Sequence, residues 1–214
     1  MMKVLYLLHT TNYDGSNISL INLMTSLHEK GVTIYVVHPD SEINSTFYKK
    51  THDMVSEYIQ MEMRIWLRAH HPDEKENKFL KHVTIQDERQ LWLEAIRLMR
   101  IIRRIKPDIV HTNVGVIHSG FRAAKALRIP HIWHIREYQT KDFDHEIVPS
   151  KEKFEDYLRQ SYVITITKDL MNYFNLNHYE KAKCIYNGCF FEQDVAKNFC
   201  KISTHLLTVL TTVL

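Results

Sequence analysis

Cysteine, glycine and proline are all scarce in this 214-residue chain, at three, five and five residues. The thiols Cys184, Cys189 and Cys200 are odd in number and form no paired framework, so the sequence reads as a reduced, cytoplasmic protein without structural disulfides. Cys184 and Cys189 also lack the tight spacing of a zinc knuckle. No glycine stands in a G-x-G-x-x-G or Walker loop, which speaks against a nucleotide-binding regulator built on a compact phosphate fingerprint. An excess of one charge is lacking too: 28 Lys and Arg against 25 Asp and Glu leave +3, too little for a dedicated nucleic-acid binder. No run approaches the ~20 apolar residues that span a bilayer. Val4 to Leu8 is too short for a secretory signal core, and no cleavage site follows it. There is no internal repeat and no low-complexity tract.

What is present is an ordinary globular balance, 44% hydrophobic and 25% charged, in a chain long enough to bury a core without staples. Lys3 to His9 is a continuous apolar run, as a strand buried on both faces requires. A polar loop, Thr10 to Asn17, leads into a helix marked by Ile18, Ile21, Leu23, Met24 and Leu27 and stopped by Gly31. Val32 to His38 is the next strand, completing a β-α-β unit. Residues 41–86 are less legible; Ser45 to Tyr58 reads as helical and Ala69 to Asn77 as an exposed loop.

The helix Asp87 to Lys106 carries one apolar stripe, Leu91, Ala95, Leu98, Met99, Ile102 and Ile105, and ends at Pro107. Then follow a strand at Asp108 to Thr112, a helix at Ser119 to Arg128, a strand at His131 to Ile135 and a loop to Pro149. A charged helix spans Lys151 to Gln160, a strand Tyr162 to Thr167, a short helix Lys168 to Phe174 and a last strand Ala182 to Tyr186. This alternation predicts an α/β fold, a doubly wound parallel sheet in a Rossmann-like three-layer sandwich.

Such sheets bind ligands beyond the carboxyl ends of their strands. The candidate rim is therefore Thr10 to Asn17, Thr112 to Gly115, Ile135 to Tyr138 and Thr167 to Asp169. Asp14-Gly15-Ser16-Asn17 opens a helix, where free N–H groups favour a phosphate or carboxylate; the plainer reading is that Ser16 or Asn17 caps that helix. His131, His134 and Glu137 stand three apart, but a strand alternates faces, so the two histidines should point to opposite sides and no shared metal is expected. His134 reads either as a donor or polariser at the strand end or as a histidine bonded within the core. Arg136-Glu137 is either a solvated surface pair or a rim pair, with Arg136 on an anionic group and Glu137 accepting sugar hydroxyl protons. Arg97, Arg100, Arg103, Arg104 and Lys106 form a basic helix face, either simply solvated or able to meet anionic lipid headgroups.

Four segments in order resemble the N-terminal domain of glycosyltransferase family 4. They are KVLYLLHTTNYDGSNISLINLMTSLHEKGVTIYVVHPD, KPDIVHTNVGVIHSGFRAAKALRIPHIWHIRE, YVITITKDLMNYF and KAKCIYNGCF, together spanning residues 3–190. The resemblance implies the N-terminal half of a GT-B fold: an acceptor-side domain at residues 1–190, then a hinge and apolar tail at 191–214, a possible remnant of a donor-binding domain. It implies a retaining glycosyltransferase that moves a sugar from a nucleotide-sugar donor to a glycan or glycolipid acceptor, as in polysaccharide biosynthesis, with no metal and no cofactor. His134 matches the family histidine that contacts the donor sugar and is the catalytic candidate. Gly15 and Ser16 match the loop near the diphosphate and acceptor, although the family's paired glycines are here Asp14-Gly15. Asn113, Arg136, Glu137, Thr167 and Lys168 complete the donor- and acceptor-binding set, with Thr167 where the family usually has serine. Asn187-Gly188 match the hinge.

The family's leaving-group cations and paired glutamates are not found in these 214 residues, so the expectation is a truncated, inactive half. A stand-alone glycan- or partner-binding module without catalysis is the alternative. The expected partners are a nucleotide-sugar donor and a glycan or lipid-linked acceptor, with peripheral membrane contact at the inner face and no nucleic acid.

Overall fold

The structure, a computed structural model, describes residues 1–69, 77–143 and 145–187. Strands β1 (Lys3–Leu7), β2 (Thr33–His38) and β3 (Val55–Gln60) form one half of the main sheet. Strands β5 (Ile109–Thr112), β6 (His131–Ile135), β8 (Tyr162–Thr165) and β9 (Ala182–Cys184) form the other. The seven strands run in the order β3-β2-β1-β5-β6-β8-β9, every pair parallel. The order reverses between β1 and β5, and that topological switch point is where sheets of this kind open a crevice. A small antiparallel pair, β4 (Leu67–Ala69) with β7 (His145–Ile147), stands apart from the main sheet.

Burial follows the strand period of two. On β1, Leu5 and Leu7 pack with Leu98, Ile102, Ala123 and Ala124 of helices α3 (Asn77–Ile105) and α4 (Ser119–Leu127). Val4, Tyr6 and Leu8 pack on the other side with Leu20 and Met24 of α1 (Gly15–Glu29) and Phe47 of α2 (Ser45–Thr51). Both faces are covered, as the unbroken apolar run of β1 requires. A third cluster joins Trp133 and Val163 to Phe154 of α6 (Lys151–Leu158) and to Leu170 and Phe174 at α7 (Lys168–Tyr173). Gly120 lets α4 lie close on the sheet: a Cβ there would stand 2.3 Å from Leu7 Cδ1 and 2.5 Å from Thr112 Oγ1.

The doubly wound sheet is the expected one, with local corrections. Ser45 to Tyr58 is not one helix: α2 ends at Thr51, and Val55 begins an edge strand whose pattern is only half buried, so its alternation is weak in the sequence. The long helix starts at Asn77, ten residues before the expected Asp87. The stretch from Ile135 to Pro149 is not all loop; it holds α5 (Thr140–Phe143) and β7. The last strand stops at Cys184 instead of Tyr186. Of the expected loop Ala69 to Asn77, Ala69 ends β4 and Asn77 opens α3; residues 70–76, Gly188 of the hinge and the apolar tail lie outside the described residues.

Candidate functional site

The loop after β1 is built around Asn17. This buried side chain donates from Nδ2 to the carbonyls of Thr10 at 2.9 Å and Asn12 at 2.8 Å, folding the loop onto the first turn of α1. Asp14 caps α1, in extended backbone (φ −108°, ψ 176°), accepting from the Asn17 N–H at 3.0 Å and the Ser16 hydroxyl at 2.7 Å. Neither Ser16 nor Asn17 is therefore the cap. Gly15 faces open space, since a Cβ built on it meets nothing within 4 Å. Thr11, buried behind the loop, gives its hydroxyl to Asp40 at 2.6 Å and thereby ties the ends of β1 and β2 together.

Across the switch point, Arg136 organises the ends of β5 and β6. Its Nε and Nη2 donate to Asn113 Oδ1 at 3.1 and 3.0 Å, and Nη1 donates to Asn187 Oδ1 at 3.0 Å. The Ser19 hydroxyl also donates to Asn187 Oδ1, at 2.9 Å, so the last described residue is tied to both α1 and the rim. Arg136 is buried, at 9% exposure, and every one of these partners is uncharged. No carboxylate among the described residues forms an ion pair with it. Burial lowers its pKa to about 10, against the opposing pull of Glu137 and Asp14, so it remains a cation at neutral pH. The solvated-pair reading of Arg136-Glu137 does not hold for the arginine.

His134 lies beside it, with Nδ1 3.3 Å from Arg136 Nη2. A guanidinium has only donors, so Nδ1 must accept and the proton must sit on Nε2. That Nε2 is buried and has no partner. Burial, then Arg136 and His111, push the His134 pKa down to about 2. The ring is thus a neutral N–H donor held ready at the strand end.

His131 is different. Its Nε2 is 2.9 Å from Thr112 Oγ1 and its Nδ1 3.0 Å from Ser161 Oγ, so both nitrogens are satisfied within the core. Its ring meets Phe121 and Trp133, while His134 meets His111, which places the two histidines on opposite faces. Among the described residues no group of three His, Cys, Asp or Glu side chains is arranged to hold a metal.

Between these two walls opens a cavity of about 620 Å³. Its polar lining is His9, Asp14, Ser16, Glu137 and His145; its apolar lining includes Ile65, Leu67, Val114, Val116 and Phe143. Glu137 accepts from the Gly115 N–H at 3.0 Å. Burial pushes its carboxyl up to about 7, against the lowering effect of that N–H and of Arg136. Near neutral pH this group can either accept or donate a proton. Gly15, Ser16 and Glu137 thus share the cavity, while Asn113, His134, Arg136 and Asn187 form the adjoining buried network. Thr167 and Lys168 belong to neither: the Thr167 hydroxyl caps α7, accepting from the Leu170 N–H at 3.1 Å, and Lys168 is exposed.

Asp14 and Asn17 lie in the loop that the sequence places on the rim, whereas His9 on the same wall and Ile65, Leu67, Phe143 and His145 at the mouth were not expected there. The four at the mouth come from two stretches joined by the β4–β7 pair, which the sequence does not signal.

The model of Glycosyltransferase Family 4 matches residues 13–189 of this chain. No curated protein matches. Among solved structures, Anabaena HepE in complex with UDP-glucose aligns with a TM-score of 0.60 and 14% identity, over 94% of this chain and 50% of its own. A UDP-GlcNAc 2-epimerase from Neisseria meningitidis bound to UDP-GlcNAc aligns at 0.57 and 16%, over 97% and 52%. MurG of Acinetobacter baumannii aligns at 0.54 and 12%, over 91% and 47%. These likenesses establish the fold as the N-terminal half of a GT-B architecture, and the chain spans about half the length of the structures it matches.

Proposed function

The chain belongs to glycosyltransferase family 4, and we propose that it forms the acceptor-side half of a retaining transferase that moves a sugar from a nucleotide-sugar donor to a hydroxyl of a glycan or glycolipid. The observation that carries this reading is the buried Arg136, a cation with uncharged partners, next to a partnerless His134 N–H at the switch point of the sheet. A buried guanidinium whose hydrogen-bond partners are all uncharged is costly and is stabilised by an incoming anion. A donor diphosphate is such an anion, and a neutral imidazole N–H beside it suits a sugar hydroxyl or developing charge on the donor. Solved structures of similar fold, HepE and a UDP-GlcNAc 2-epimerase among them, hold UDP or a UDP-sugar, which agrees with a nucleotide-sugar donor.

The cavity beside this network would take the acceptor. Glu137 can hydrogen-bond a hydroxyl in either protonation state, and the apolar lining suits the carbon face of a sugar ring or the first part of a lipid carrier. No metal or cofactor enters the reading. The retained configuration follows the family and rests on no residue geometry here.

Transfer also requires charge stabilisation of the departing phosphate and a donor held against the acceptor. The described residues offer one wall of that arrangement. The 214 residues alone are therefore expected to give no measurable turnover, and a donor-binding domain of a family relative, fused or added, to restore it. The test is sugar transfer from a panel of labelled nucleotide sugars with and without that domain. Robust turnover by the chain alone, or inversion at the anomeric carbon in the restored enzyme, would overturn the proposal. Saturable glycan binding with no transfer under any pairing would instead favour a stand-alone binding module.

A further inference from the structure

The rim makes no use of the outward face of α3, whose composition is not that of an ordinary solvated helix. Trp92, Leu93 and Ile96 are 43%, 47% and 41% exposed. Around them stand Arg89, Arg97, Arg100, Arg103 and Arg104, all exposed. At 100° per residue these eight positions fall on the side opposite the buried stripe of Leu91, Ala95, Leu98, Ile102 and Ile105. The acid within this stretch, Glu94, is turned inward at 1% exposure, where burial raises its pKa.

The neighbouring carboxylates are spoken for. Glu57 accepts from Nη1 and Nη2 of Arg104 at 2.9 and 2.7 Å, and Glu88 pairs with Arg122 at 2.9 Å. Arg122 in turn covers one face of the Trp92 ring at 5.5 Å. Arg89, Arg100 and Arg103 form no ion pair among the described residues.

We propose that this face seats the protein on a lipid surface rich in anionic headgroups, with Trp92, Leu93 and Ile96 entering the interface and the arginines on the phosphates. A solvated face mixes both signs of charge and leaves out large apolar groups; this one has a single sign and three large apolar side chains. Arginine stems can lie along an apolar surface while their heads reach headgroup phosphates. Tryptophan and leucine beside basic residues are the composition of interfacial helices. A second copy of this chain is disfavoured, because pairing like faces would set guanidiniums against guanidiniums. A nucleic acid would leave Leu93 and Ile96 without apolar cover. The inference is independent of glycosyl transfer and is tested without it.

The chain has three tryptophans, Trp66, Trp92 and Trp133, of which Trp66 and Trp133 are buried at 2% and 0% exposure. Trp92 therefore reports this face. On adding vesicles of phosphatidylcholine mixed with phosphatidylglycerol, emission should shift to the blue and brominated lipid should quench it. Phosphatidylcholine alone should do neither, and Trp92→Phe should abolish the spectral change. The double variant Arg100→Glu/Arg103→Glu, with unchanged circular dichroism, should bind the mixed vesicles roughly a hundredfold more weakly, and added salt should weaken the wild type. The proposal is overturned by failure to sediment with anionic vesicles, by equal binding to phosphatidylcholine alone, or by a Trp92 signal that follows protein concentration instead of lipid. Retention on a polyanion without vesicle binding would also overturn it.

Discussion

Arg136 and His134 stand out from the other buried polar groups by what their partners leave undone. His131 has both nitrogens bonded and Glu155 is held by Lys151 and Arg159, whereas Arg136 has uncharged partners and His134 Nε2 has none. Asparagine ligands orient a guanidinium without neutralising it, so Asn113 and Asn187 aim its charge and leave it available. Glu137 gives a test of this electrostatic picture that needs no substrate. Its carboxyl ionises near its ordinary 4.5 in the unfolded chain but only at about 7 in the fold. Between those values the native state holds the extra proton, so this group's contribution to stability falls as pH rises through the window and stays lost above it. Glu137→Gln should therefore gain on the wild type, by about 1–2 kcal/mol, as pH rises from about 4.5 to 7. Urea unfolding of both proteins across that range measures it, and a difference that does not change with pH would mean that Glu137 is not buried in this way. The place of His134 near the carboxyl end of a buried strand was legible in the sequence, because the run HIWHI stops one residue later. The α1 cap was not, because Asp14, Ser16 and Asn17 are all good cap residues and only the extended backbone of Asp14 decides among them.

At the scale of elements, the strands that carry the rim were the easiest to read. β1 is an almost unbroken apolar run, and β5 and β6 are short buried strands that mix apolar residues with histidine, each ending where the polar rim begins. The edge strand β3 hides its period behind Ser56, Glu57 and Gln60, and β4 and β7 have three residues each, too few to show any period. Those short strands carry Leu67 and His145 to the cavity mouth, with Ile65 and Phe143 beside them, which is why this part of the lining was invisible to pattern. The packing of α4 on the sheet makes a prediction at this scale. Gly120→Ala adds a methyl into the space of Leu7 and Thr112, and Thr112 is already fixed by its bond to His131. Overpacking of this kind costs about 1–3 kcal/mol, against roughly 1 kcal/mol of helix propensity gained. The urea midpoint should fall with an unchanged slope; a rise would show that α4 can move off the sheet at no cost.

For the whole molecule, the fold separates the rim at the carboxyl ends of the strands from the helices that cover the sheet. The sheet changes winding direction between β1 and β5, so the loop of Asp14 and Ser16 and the network of Asn113 and Arg136 meet there although about a hundred residues separate them in the chain. The outward face of α3 presents Trp92 and several exposed arginines, none of which lines the cavity. Among the described residues no helix is long and apolar enough to cross a membrane, so any lipid contact through α3 would be peripheral. The role of the buried cation is read from kcat/KM for sugar transfer by this chain joined to a family donor-binding domain, compared with its Arg136→Met variant. Losing the guanidinium should lower kcat/KM roughly a hundredfold, with the anomeric configuration retained in whatever product remains. An unchanged kcat/KM in a variant that folds as the wild type does would contradict it, because the buried cation would then have no part in the transfer.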